Sequence, residues 1–79
     1  MSPTVFRHDG YRFFFFSREE TRIHVHVACG DGEAKFWLLP TIELAENLGL
    51  SPKQLTRITR IIEEQRDDIA RAWKRHFAT

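Results

Sequence analysis

Two histidines stand two positions apart in the run His24-Val25-His26-Val27. On a β-strand, positions i and i+2 project from the same face, with Cα atoms roughly 6.5–7 Å apart. Two imidazoles at that spacing could chelate a metal, or set an acid and a base on one substrate, since imidazole gains and loses protons near neutrality. Lys35 and Trp37 belong to the run that follows and add a cation and a stacking surface. An imidazole pair, a cation and an indole suit an RNA phosphate and base. His24, His26 and Lys35 are therefore the catalytic candidates, and Trp37, Tyr11 and Arg12 the binding candidates.

The same residues also fit a plainer role, as a half-polar sheet surface or a face that binds another protein. No third metal ligand stands at a recognised spacing, and only folding could bring His8 or His76 close, so no metal or cofactor is assigned. Cys29 falls on the expected core face, which argues against a catalytic thiol. Gly30 and Gly32 lack the Lys-Ser/Thr of a phosphate-binding loop and join two strands, so they read as a turn. Ser51 reads as a helix cap. Nothing matches a hydrolase triad, a glycosidase carboxylate pair or a dinucleotide fold. A small ribonuclease stays open, because RNA supplies its own 2′-hydroxyl nucleophile.

The elements that must position these residues follow from pattern. Asp9-Gly10 between apolar runs signals a type I′ hairpin. With that pair as the loop, His8 faces Tyr11, Arg7 faces Arg12, Phe6 faces Phe13, Val5 faces Phe14 and Thr4 faces Phe15. Phe13 to Phe16 is apolar on both faces and reads as a central strand. Arg18 to Thr21 is a charged connection. A third strand runs from about Arg22 to Cys29, and Glu33 to Leu39 returns antiparallel to it. Taking Asp31-Gly32 as the second loop places Cys29 opposite Ala34, Val27 opposite Phe36 and Val25 opposite Leu38, an apolar core face. The other face then carries Ala28 opposite Lys35, His26 opposite Trp37 and His24 opposite Leu39.

After Pro40 the pattern turns helical. Thr41 reads as the N-cap of a short helix through Leu48, with Gly49 at its C′ position. Ser51-Pro52-Lys53-Gln54 is a capping box with Pro at N1. From there Leu55, Ile58, Ile62, Ile69, Trp73 and Phe77 form one apolar stripe, with a gap at Gln65/Arg66, on a long amphipathic C-terminal helix. The expected fold is α+β: two consecutive hairpins in a small antiparallel sheet, packed by a short and a long helix.

Seventy-nine residues suit one domain, which buries only roughly 60–65% of the surface its unfolded chain exposes. Seven Phe and two Trp fill such a core economically. A single Cys excludes an internal disulfide and fits a reducing cytosol. The longest apolar run near the N-terminus is too short for a signal peptide, so the expected location is cytoplasmic. Net charge is +1, with five Lys/Arg and five Asp/Glu in residues 1–39 and seven and six in residues 40–79. Overall charge therefore supplies no strong pull toward nucleic acid.

Several ordered motifs carry a family resemblance. They are Pro3-Thr4-Val5, Gly10-Tyr11-Arg12-Phe13-Phe14-Phe15, His24-Val25-His26-Val27, Gly32-Glu33-Ala34-Lys35-Phe36-Trp37-Leu38, Glu43-Leu44-Ala45, Leu50-Ser51-Pro52 and Trp73. Together they resemble the bacterial domain-of-unknown-function family 4160, from which Ile23 departs where the family often has Pro. The resemblance implies a small stand-alone protein often encoded beside a member of domain-of-unknown-function family 2442, in a layout like a type II toxin–antitoxin pair. On that basis the chain is expected to be the toxin, acting on RNA or translation, with an antitoxin-like protein partner. The alternatives are a non-enzymatic interaction module, including a homodimer, and a small metal-binding regulator. The resemblance brings no catalytic residues with it.

Overall fold

The first turn forms as its residues require: Asp9 and Gly10 both take positive φ, 54° and 81°, as a type I′ turn demands. The structure is a computed structural model and describes residues 4–15 and 22–77. Strand β1 (Thr4–His8) enters this turn and β2 (Tyr11–Phe14) leaves it. His8, Arg7 and Phe6 face Tyr11, Arg12 and Phe13 as expected. Beyond Phe6 the register slips, so that Thr4 faces Phe14 and not Phe15. Val5 is the extra residue of this bulge. It leaves the place expected opposite Phe14 and packs against the core instead. Phe16 and the charged connection at 18–21 lie outside the described residues.

Strands β3 (His24–Cys29) and β4 (Gly32–Trp37) form the second hairpin, with Gly30-Asp31 as its two-residue loop. This shifts β4 by two positions from the expected register. Cys29 faces Gly32, His26 faces Lys35 and His24 faces Trp37. A two-residue shift preserves both faces, so Val25, Val27, Ala34 and Phe36 still point to the core. The reason lies one strand over. A Cβ on Gly32 would sit 2.0 Å from the Leu48 carbonyl oxygen, so this glycine serves close approach between strands and is not available to the turn.

That neighbouring strand corrects a second expectation. Residues Glu43–Leu48 form β5, paired with β4, and not a short helix. Their helix-favouring composition is overridden because β4 offers a full edge of backbone donors and acceptors, which pairing satisfies. Gly49 keeps the positive φ expected of it, 91°, but ends a strand. Among the described residues the result is a five-stranded antiparallel sheet in chain order, an α+β fold.

The capping box forms as read. Ser51 Oγ accepts from Gln54 N at 3.1 Å, and Gln54 Oε1 accepts from Ser51 N at 2.9 Å. The long helix, however, is two: α1 (Pro52–Glu64) and α2 (Arg66–Phe77), parted at Gln65. The gap in the apolar stripe is where they part. Ile58, Ile61 and Ile62 of α1 and Ile69 of α2 are fully buried against Phe13, Val25, Val27 and Phe36. Farther along α2, Trp73 and Phe77 close around Phe15 at ring-centroid distances of 5.3 and 6.0 Å.

Two polar ties fix α1 over the hairpin turns. Gln54 Nε2 donates to Asp31 at 2.9 Å. Arg57 pairs with Asp9, its Nε donating at 2.9 Å. The hydrogen bond from Arg57 holds the Asp9 carboxyl below its ordinary value against a smaller opposing effect of desolvation, and the charges of Arg57 and His8 act the same way as the bond. Among the described residues no helix is long and apolar enough to cross a membrane.

Candidate functional site

Both helices pack on one face of the sheet, while the alternating residues of the other face gather in a row that Trp73 of α2 also meets and in which Phe14, His24 and Lys35 are buried. β2 contributes Arg12 and Phe14, and β3 contributes His24 and His26. From β4 come Lys35 and Trp37. Pairing sets Phe14 and Lys35 on either side of His26, and Trp37 opposite His24. The two-residue shift in β4 thus brings Lys35 beside His26, where the expected register had set Trp37.

The rings make contact in a row. Phe14 stacks on His26 at 5.4 Å and 23°. His26 meets the edge of His24 at 5.2 Å, and His24 meets Trp37 at 5.5 Å and Trp73 at 4.9 Å, all near perpendicular or steeply tilted. Three cations lie over these rings: Arg12 over Phe14 at 4.5 Å, and Arg22 and Lys35 over Trp37 at 4.3 and 4.5 Å. Cations held on aromatic faces gain about 0.5–2 kcal/mol each, more as water is excluded. Backbone and hydroxyl acceptors aim two of them. Arg22 Nε donates to the Leu39 carbonyl at 3.1 Å, and Arg12 Nε donates to Thr4 Oγ1 at 2.7 Å.

The two histidines differ in access. His24 is fully buried, with Nδ1 2.7 Å from the Arg22 carbonyl. A carbonyl can only accept, so Nδ1 carries a proton and donates it to that carbonyl. His26 is half-buried and, with Lys35, Glu33, Glu46 and Leu48, lines a shallow depression of about 70 Å³, room for a few waters. His26 is therefore the imidazole that a ligand can reach, and His24 supports it from behind.

Of the expected site residues, the structure gathers His24, His26, Lys35, Trp37 and Arg12 on one face. Tyr11 packs against the core on the opposite face. Sequence reasoning missed Phe14, Arg22 and the Trp73 contact. Phe14 shares parity with Arg12, but only the β2–β3 pairing reveals that it stacks on His26. Among the described residues no group of three or more His, Cys, Asp or Glu side chains comes together as a metal site.

These features define a class of protein: a small α+β domain whose antiparallel sheet buries one face under two helices and carries a histidine–aromatic–cation row on the other. The chain belongs to the family described as Domain of unknown function (DUF4160), whose model matches residues 10–74. No curated protein and no solved structure matches the chain.

Proposed function

We propose that this protein is the toxin component of a two-protein system and acts on RNA, binding a single-stranded segment across the outer sheet face. The observation that carries the reading is the side-by-side placement of His26 and Lys35, flanked by cations that rest on aromatic rings. A phosphodiester needs a cation at its oxygens, a group that takes the 2′-hydroxyl proton, and a surface on which bases stack. Lys35 and Arg12 supply the first. His26 supplies the second, and Trp37 with the guanidinium of Arg22 the third. His24 is a positioning residue, its ring fixed by the Arg22 carbonyl and set edge-on to His26. Attack by the 2′-oxygen then yields a 2′,3′-cyclic phosphate and a 5′-hydroxyl, with the proton passing to His26 and solvent protonating the leaving oxygen.

The test is a labelled single-stranded RNA oligonucleotide incubated with the pure protein, followed by anisotropy for binding and by gel for scission. Binding is expected to weaken with rising salt, as phosphate contacts require, and to fall several-fold in Trp37→Ala. His26→Ala is expected to keep binding and lose scission, and to relieve growth arrest when the gene is induced. Growth arrest unchanged in His26→Ala, with no RNA bound at low salt, would refute the reading in favour of a protein-binding face.

A further inference from the structure

A groove runs between β1 and α2, bordering the row where Thr4 accepts from Arg12. Two adjoining hollows of about 260 and 250 Å³ share Val5, Ala72 and Arg75 as walls. One reaches Phe15 and His76, the other Phe6 and Arg71. Val5, Phe6, Phe15 and Ala72 give its floor apolar contacts, and polar side chains make up the rest of the lining. β1 is an end strand of the sheet, with no strand on its outer side among the described residues. The bulge is what builds the groove, since it takes Val5 off the His face and turns it toward the helix.

The charge along the groove is uneven. At one end Arg71 is paired with Asp68, leaving that end neutral. At the other, the last turn of α2 carries Lys74, Arg75 and His76. The helix C-terminus contributes about half a negative charge there, which Lys74 and Arg75 together exceed. From Arg66 to His76 the helix rises about 15 Å, the span of four or five extended residues at about 3.3 Å each.

We infer that this groove is a docking site for an extended segment of a partner protein, apolar along its length and acidic at the end that meets Arg75. Charge complementarity selects that occupant: an aliphatic segment fills the floor, and a carboxylate meets the cations of the last helical turn. The inference is independent of what the His face binds.

The experiment uses the full chain and a fluorescein-labelled peptide of alternating Leu and Val ending in Glu-Asp, with a second peptide ending in Lys-Lys. Anisotropy is expected to show the acidic peptide binding in the micromolar range and the lysine peptide at least ten-fold weaker. Arg75→Glu is expected to reverse that preference, and Ala72→Phe, which fills the floor, to weaken both. Amide shift changes are expected on β1 and α2 and not on β3. RNA binding by the same variants is expected to stay within two-fold of wild type, separating this site from the other face. Equal binding of both peptides, no effect of Arg75→Glu in a folded variant, shifts on β3, or no binding of the acidic peptide at about 1 mM would each overturn the inference.

Discussion

Replacing Gly32 by Ala tests the strand register on which the site depends. A Cβ at this position would lie 2.0 Å from the Leu48 carbonyl oxygen, where real Cβ contacts stay above 3.0 Å. The obstacle is backbone, so β5 must withdraw by about 1 Å. That lengthens the neighbouring ladder hydrogen bonds from about 2.9 Å to about 3.9 Å, beyond bonding range. Two weakened bonds at about 1 kcal/mol each, plus the lower end of the overpacking cost, give roughly 3 kcal/mol. With a urea slope of about 1 kcal/mol/M for a chain this small, the midpoint should fall by roughly 3 M. Gly30 is the internal control. It has open space around its Cβ position and no positive φ, so Gly30→Ala should be neutral or stabilise by about 0.4–1 kcal/mol through the unfolded chain. Urea titrations of both variants, with hydrogen exchange at β5, make the comparison. If Gly30→Ala proves the more damaging, Gly32 sits in the turn, and Lys35 does not face His26.

Arg57→Ala should destabilise the protein at neutral pH and lose its effect in acid. The folded Asp9 carboxyl lies below its ordinary value of 3.8, so its contribution is complete above that value and disappears as pH falls through the lowered one. Thermal melts of wild type and variant across that range should converge at the acid end. Ser51→Ala removes the accepting half of the capping box and should cost about 1 kcal/mol, a melting shift of about 4–8 °C. Ile62→Ala, at a fully buried position facing the sheet, should cost roughly 3–4 kcal/mol in chemical denaturation. His24→Phe keeps a ring among His26, Trp37 and Trp73 but loses the donor to the Arg22 carbonyl. It should cost about 1–3 kcal/mol and shift the fluorescence of the neighbouring tryptophans.

Local chemistry alone determined several features of this chain. Asp9-Gly10 had to turn because both its positions need positive φ, and Ser51-Pro52-Lys53-Gln54 had to start a helix because its side chains satisfy the first backbone donors. The period-two run through His24 and His26 separated a core face from a histidine face, and that division survived even where the register moved. Tertiary structure decided what local pattern leaves undetermined. A helix-favouring segment became β5 because the edge of β4 demanded partners, and Gly32 left the turn because β5 passes too close for a side chain. The stripe from Leu55 to Phe77 was legible, but its division at Gln65 into two helices appears only in the structure. The His24–His26 pair was visible in the sequence. Phe14 beneath His26, Lys35 beside it and Arg22 over Trp37 were not, because contacts between strands depend on register and pairing order, which the whole sheet fixes at once.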